Sequence, residues 1–127
     1  MTAAGPPDAY AGHLAITVVD VGPGWARARV AVAPQHENTH GTAHGGLVFS
    51  LADAALQAAS NSHGPTAVAT AVTINYLRPA SIGDTLLAEA LEEHRGGRLA
   101  LYRIEVRRVS DGSVVALATG QVAITRS

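Results

Sequence analysis

One stretch of this chain fits a long helix and nearly everything around it reads as strand, an imbalance that leaves few folds open. Gly45 to Asn61 is about 17 residues, roughly 25 Å at the standard helical rise, and its one charged side chain is Asp53. A mid-helix Asp has poor propensity and, when buried without a partner, carries a desolvation cost. Something must compensate for it among Leu, Val, Phe and Ala. Ser50, Asp53, Gln57 and Ser60 follow at steps of three, four and three, which draws one narrow polar stripe along the helix. Solvated faces usually carry several Lys, Arg or Glu, so a stripe with a single charge fits a pocket or a partner subunit better.

Strand signals flank that helix. Ala15 to Val21 and Trp25 to Ala33 surround Gly22-Pro23-Gly24, which suits a β-hairpin. Within the second strand Trp25, Arg27 and Arg29 alternate with Ala26, Ala28 and Val30, the pattern of a half-buried antiparallel strand. After the helix come Thr66 to Leu77, Thr85 to His94, Leu99 to Val109 and Ser113 to Ile124. Gly96-Gly97, as a turn with positive φ, and Asp111-Gly112 suit two hairpins, so the short connections predict an antiparallel meander. Strict alternation in Thr66 to Leu77 sets Ala67, Ala69 and Ala71 on one side, with Val68, Thr70, Val72 and Ile74 on the other. The small side would admit the helix closely, with Leu47, Phe49, Leu51 and Leu56 as large fillers. The fold class expected is α+β, one long central helix packed on a curved antiparallel sheet of five to six strands.

Composition narrows the function. At 127 residues and 47% hydrophobic side chains, residues 1–127 fit one domain, residues 1–12 forming an N-terminal extension or a short helix around Asp8 to His13. Net charge is -1, lysine is absent and the arginines are scattered, so no basic stripe awaits nucleic acid. The absence of cysteine excludes disulfide scaffolds, thiolate metal sites and a Cys nucleophile. Met1 to Pro7 lack the basic and apolar regions of a secretory signal, and a cytoplasmic location is expected. No Asp, Glu, Lys or Arg falls between Asp53 and Arg78, yet Gln57 and the run from Asn61 to Pro65 interrupt the stretch before it spans a bilayer, so no membrane role is expected. A small sheet covered on one side leaves a face and edges open, and oligomers are expected.

Three familiar chemistries fail on inspection. His36, His40 and His44 recur every four residues, but Pro34 and Gly41 oppose a helix there and no carboxylate joins them, so ordinary loop hydrogen bonds are expected and no metal. The G-x-S-x-G elbow of serine hydrolases is missing, and His44-Gly45-Gly46 lacks the Lys and Ser/Thr of a phosphate loop. What remains is a Gly-Gly pair that leaves backbone N–H groups bare at the positive end of the helix. Asp53 lies eight residues beyond Gly45, roughly 12 Å of rise, too far for both to act on one atom within a single helix. Two helices antiparallel about a two-fold axis would bring Asp53 of one copy to the Gly45 end of the other, with an acyl carbonyl between.

Asn38 to Gly46, followed by Leu51-Ala52-Asp53-Ala54-Ala55 and by Ile74 to Ala80, resembles the hot-dog-fold acyl-CoA thioesterases, with the closest likeness to the hydroxyphenylacetyl-CoA thioesterases of phenylacetate degradation. The likeness runs from about Leu14 to Ile124. It implies a helix wrapped by five or six strands, paired into homodimers with shared active sites and stacked as homotetramers. By position, Gly45 would offer its N–H and Asn38 its side-chain amide to the thioester oxygen, while Asp53 would act as base or nucleophile. His44 would shape the turn and Gly46 would allow close approach of substrate. Thr70 is the hydroxyl candidate for holding water, with Ala69 as the alternative register, and Gln57 takes the slot where some relatives carry a hydroxyl. Arg78, Arg95 and Arg98 are candidates for the phosphates of an acyl-CoA substrate, and no cofactor is implied. Two other readings stand beside this one: a non-catalytic acyl-CoA-binding module, which would not need Asp53, and a hydratase or dehydratase, which would want a His paired with the acid.

Overall fold

The computed structural model describes residues 8–125, so Met1 to Pro7 of the expected extension lie outside the described residues. Asp8 begins the described chain as the cap of helix α1 (Ala9–His13), its carboxylate accepting the Ala11 N–H at 3.0 Å. Strands β1 (Thr17–Gly22) and β2 (Trp25–Ala31) form the first hairpin, turned at Gly24, whose φ of 78° suits glycine. A 3₁₀ turn, Pro34–His36, and a loop lead to helix α2 (Gly45–Ser60). Four strands follow: β3 (Ala67–Tyr76), β4 (Thr85–Arg95), β5 (Leu99–Arg108) and β6 (Val114–Ile124).

All pairings are antiparallel in one six-stranded sheet ordered β1-β2-β4-β5-β6-β3. The meander holds for β4-β5-β6, but β3 is displaced to the far edge beside β6. The chain leaves β2 through α2, which crosses the sheet, so β4 fills the place next to β2. α2 lies mainly against β2, β4 and β5. There the side chains facing it are small: Ala26, Ala28, Ala88, Ala90 and Ala100 are all fully buried. Small sheet residues admit the helix, and its Leu47, Leu51 and Leu56 fill the space between. Phe49, expected as a fourth filler, is only partly buried.

Two further expectations are corrected by the backbone. A register shift between Ala69 and Ala71 bulges β3 at Thr70, and a bulge reverses which side chains face the core. Beyond the bulge Ala71 is exposed, whereas Val72 and Ile74 pack against the core; before it Ala67 is buried but Ala69, on the same face, is exposed as well. The second correction is at Gly96-Gly97, which closes β4-β5 without positive φ at either glycine; Gly112, after Asp111, does take φ of 71°. No helix among the described residues is long and apolar enough to cross a membrane.

Candidate active site

The start of α2 is built from the loop before it. His36 is buried, with its Nδ1 accepting the Ala33 N–H at 3.0 Å and its Nε2 lying 2.8 Å from the Leu14 carbonyl, an arrangement that requires the Nε2–H tautomer. It pins the 3₁₀ turn to the chain ahead of β1. The His36 carbonyl accepts the His44 N–H at 2.7 Å, and the Ala80 carbonyl accepts the Ala43 N–H at 2.8 Å. Both bonds fix the point where the chain enters the helix. His40 is exposed on the loop and His44 caps α2, so the three histidines do not converge, and no group of three metal-ligating side chains occurs among the described residues.

Asn38 organises the loop between them. Its Oδ1 accepts the N–H groups of His40 and Thr42 at 2.8 and 3.1 Å, which fixes the amide orientation. Its Nδ2 donates to Thr42 Oγ1 at 2.9 Å and reaches the Ala43 carbonyl only at 3.5 Å, so one of its two N–H bonds is loosely engaged.

At the helix start, three of the first four amides have partners. His44 Nδ1 accepts the Gly46 N–H at 2.8 Å, and the His44 carbonyl accepts those of Leu47 and Val48 at 2.9 and 3.3 Å. Gly45 N–H has none among the described residues. Because the peptide is trans, a His44 carbonyl directed into the helix turns the Gly45 N–H outward, at the positive end of the dipole. Two open clefts meet there. The first, about 310 Å³, is lined by Asn38, Gly45, Val48, Tyr76, Arg78 and Val115, among others; the second by Glu37, Asn38, Thr39, His40, His44 and Gly45. Only Asn38 and Gly45 line both.

Asp53 lines neither cleft. It is half-buried on α2 with no hydrogen bond or ion pair among the described residues. Burial, and after it the charge of Asp8 at the cap of α1, holds its carboxyl above the ordinary carboxylate range. The polar stripe expected along α2 is shorter than its spacing: Ser50 and Asp53 are partly exposed and Gln57 is exposed, but Ser60 is buried, its hydroxyl donating to the Gln57 carbonyl at 3.3 Å. Gly46 is exposed beside His44.

The remaining expected residues scatter. Thr70 sits at the β3 bulge, where its hydroxyl donates to the Gln121 backbone carbonyl and accepts from the Gln121 side-chain amide, both at 3.2 Å. Arg78 borders the first cleft, with its guanidinium donating to the Val114 carbonyl at 2.8 Å. Arg95 and Arg98 lie at the opposite end of α2, roughly 22 Å of helix away from Gly45. Arg95 reaches the Ser60 carbonyl at 3.5 Å and Glu92 at 3.8 Å, so its charge serves a structural cluster. In that cluster Tyr102 Oη donates to Glu92 at 2.7 Å and His63 lies 3.0 Å from the same oxygen. Burial raises the Glu92 carboxyl, but the bonds from Tyr102 and His63 outweigh it and bring it below its ordinary value; burial and that carboxylate push the Tyr102 phenol up to about 12. A residue that sequence reading did not single out is Tyr76, whose hydroxyl donates to the Gly45 carbonyl at 3.1 Å.

One long helix wrapped by one antiparallel sheet, with a bare glycine amide at its start, is the hot-dog arrangement. The family model described as Thioesterase superfamily matches residues 40–115, and the chain belongs to that superfamily of thioester hydrolases. A putative esterase of Deinococcus radiodurans is 45% identical over 113 residues, 89% of this chain and 77% of that protein. Acyl-coenzyme A thioesterase PaaI of Escherichia coli is 44% identical over 99 residues, 78% of this chain and 71% of that protein. The solved structure of that PaaI protein, described as from the phenylacetic acid degradation operon, matches with a TM-score of 0.90 at 41% identity, covering 93% of this chain and 85% of that one. The TT0310 protein of Thermus thermophilus also gives 0.90, at 40% identity over 94% of this chain and all of that one.

Proposed function

We propose that this protein hydrolyses acyl-CoA thioesters of the aryl-acetyl, hydroxyphenylacetyl-like or medium-chain class to the free acid and CoA, in the cytoplasm. The observation that carries the reading is the unpartnered Gly45 N–H, aimed outward at the junction of two clefts. A thioester is intrinsically activated, so oriented donors and one carboxylate suffice without a nucleophilic triad. The thioester oxygen takes the Gly45 N–H and the loosely held N–H of Asn38, which stabilise the charge developing there; losing one such donor typically costs about 10²–10³ in turnover. Asp53 acts as general base on water or as the nucleophile, and its burial suits a base poised above ordinary carboxylates. His44 holds the turn through Gly46, and Gly46 leaves room for the substrate. Thr70 and Gln57 order water or substrate nearby, and Arg78 meets CoA phosphates at the cleft border, with exposed Arg98 at the far end of α2 open to a partner's ligand while Arg95 stays engaged with Ser60 and Glu92.

Since Asp53 borders neither cleft that Gly45 lines, the site is completed by a second copy with its helix antiparallel to the first. The assembly is a homodimer with shared sites, paired again into a homotetramer. The aryl-acetyl preference rests on the likeness to PaaI. A binding module without catalysis would leave the unpaired carboxylate on α2 without use.

A panel of acyl-CoA esters with free-thiol detection tests reaction and acyl class together. Hydrolysis of aryl-acetyl or medium-chain esters, abolished in Asp53→Asn while acyl-CoA still binds, is the expected result. Full hydrolysis by Asp53→Asn would remove the carboxylate from the mechanism.

A further inference from the structure

We infer that Tyr76 is a positioning residue for thioester hydrolysis, tying down the glycine whose amide meets the carbonyl and walling the cleft beside it; the inference rests on the functional reading above. Gly45 is the first residue of α2, at a helix end where chains fray, and glycine has the widest conformational freedom of any residue. An amide that stabilises developing charge must be fixed before the reaction, because a donor that reorients during it loses much of its effect. The helix itself holds the peptide on the N-terminal side of Gly45, through the His44 carbonyl and the amides of Leu47 and Val48. The peptide on its other side joins the ladder through its carbonyl, that of the first helical residue, and gains a further bond at each end from outside the ladder. His44 Nδ1 takes its N–H, from Gly46, and Tyr76 Oη donates to its carbonyl, on Gly45, at 3.1 Å.

The ring contributes separately from the hydroxyl. A Cβ placed on Gly45 would sit 3.4 Å from Tyr76 Cζ and 3.6 Å from Cε1, so the ring covers the open side of this glycine in ordinary van der Waals contact. Tyr76 is half exposed and lines the first cleft with Val48, Leu77 and Val115. Its backbone is firmly placed, paired with Ala116 on β6, and the carbonyl of Val115 accepts the amides of Leu77 and Arg78 that follow it. An aromatic side chain on a fixed strand end thus reaches across to the first residue of the helix. The hydroxyl orders Gly45, and the ring shapes the space a substrate enters.

These two effects separate by substitution. Tyr76→Phe keeps the wall and removes the tie, so kcat falls about threefold to tenfold, the weight of one net hydrogen bond, while KM stays within about twofold. Tyr76→Leu removes the ring as well, and KM rises in addition. In ¹⁵N relaxation, the Gly45 and Gly46 amides become more mobile in Tyr76→Phe than in the parent protein. Unchanged kcat, or unchanged order parameters at Gly45 and Gly46, overturns the inference. If the parent protein hydrolyses no acyl-CoA, the functional reading fails by itself, and the relaxation measurement alone decides whether Tyr76 ties the glycine.

Discussion

Asp53 carries the most information of any residue here because its burial and its charge pull against each other. Its carboxyl is raised above the ordinary 3.8, first by burial and second by Asp8. If Asp53 is the base proposed above, it works only when ionised, so hydrolysis is expected to climb as pH rises through that raised value and fall below it; a pH–rate profile would read this as an acidic limb displaced upward from 3.8. Stability runs the other way. A carboxyl whose pKa is raised by folding weakens the fold once ionised, and the effect vanishes when both states are protonated. Asp53→Asn is therefore expected to melt higher than the parent at neutral pH, with the difference closing as pH drops below 3.8, as thermal melts across pH would show. The sequence isolates Asp53 and Gly45 because each breaks a local pattern, a charge in an apolar helix and a glycine pair at its start. Tyr76 breaks none, and its partner lies 31 positions away.

Among the elements, α2 and the strands beneath it depend on missing side-chain volume. Gly120 on β6 is buried where an added Cβ would come within 2.7 Å of Leu56 Cδ2 and 3.0 Å of Cδ1, and Leu56 is itself 1% exposed. Gly120→Ala is expected to destabilise the protein by about 1–3 kcal/mol through overpacking. Adding Leu56→Val to that variant should recover part of the loss, which chemical denaturation would measure; independent, additive losses would place the strain elsewhere. Hairpins such as Gly22-Pro23-Gly24 and Asp111-Gly112 are legible from sequence because turn chemistry is local. The inward side of β3 is not, since Thr70 is an ordinary strand residue and only the ladder with β6 shows that it bulges.

For the molecule as a whole, the sheet ends on two open edges, β1 and the ten-residue β3, and the candidate groups stand apart along α2. Because Gly45 lines two clefts and Asp53 neither, a shared site makes a prediction that no single chain can satisfy. Mixed dimers of Asp53→Asn with Asn38→Ala subunits should recover activity that each variant lacks alone, because one of the two shared sites then combines intact groups. Absence of recovery in mixed dimers verified by mass would place each site within one chain.

Periodicity, turn residues and the one charge in the helix were enough to determine the strand and helix content and the α+β class, and to single out Asp53 and Gly45 as candidates, since each depends on neighbours a few residues apart. Strand order, the bulge at Thr70, the burial of Ser60, the retreat of Arg95 into a cluster with Glu92 and the reach of Tyr76 to Gly45 were decided in three dimensions. Each of those depends on which distant segments pack together, and packing responds to volume and hydrogen-bond geometry that a one-dimensional pattern does not contain.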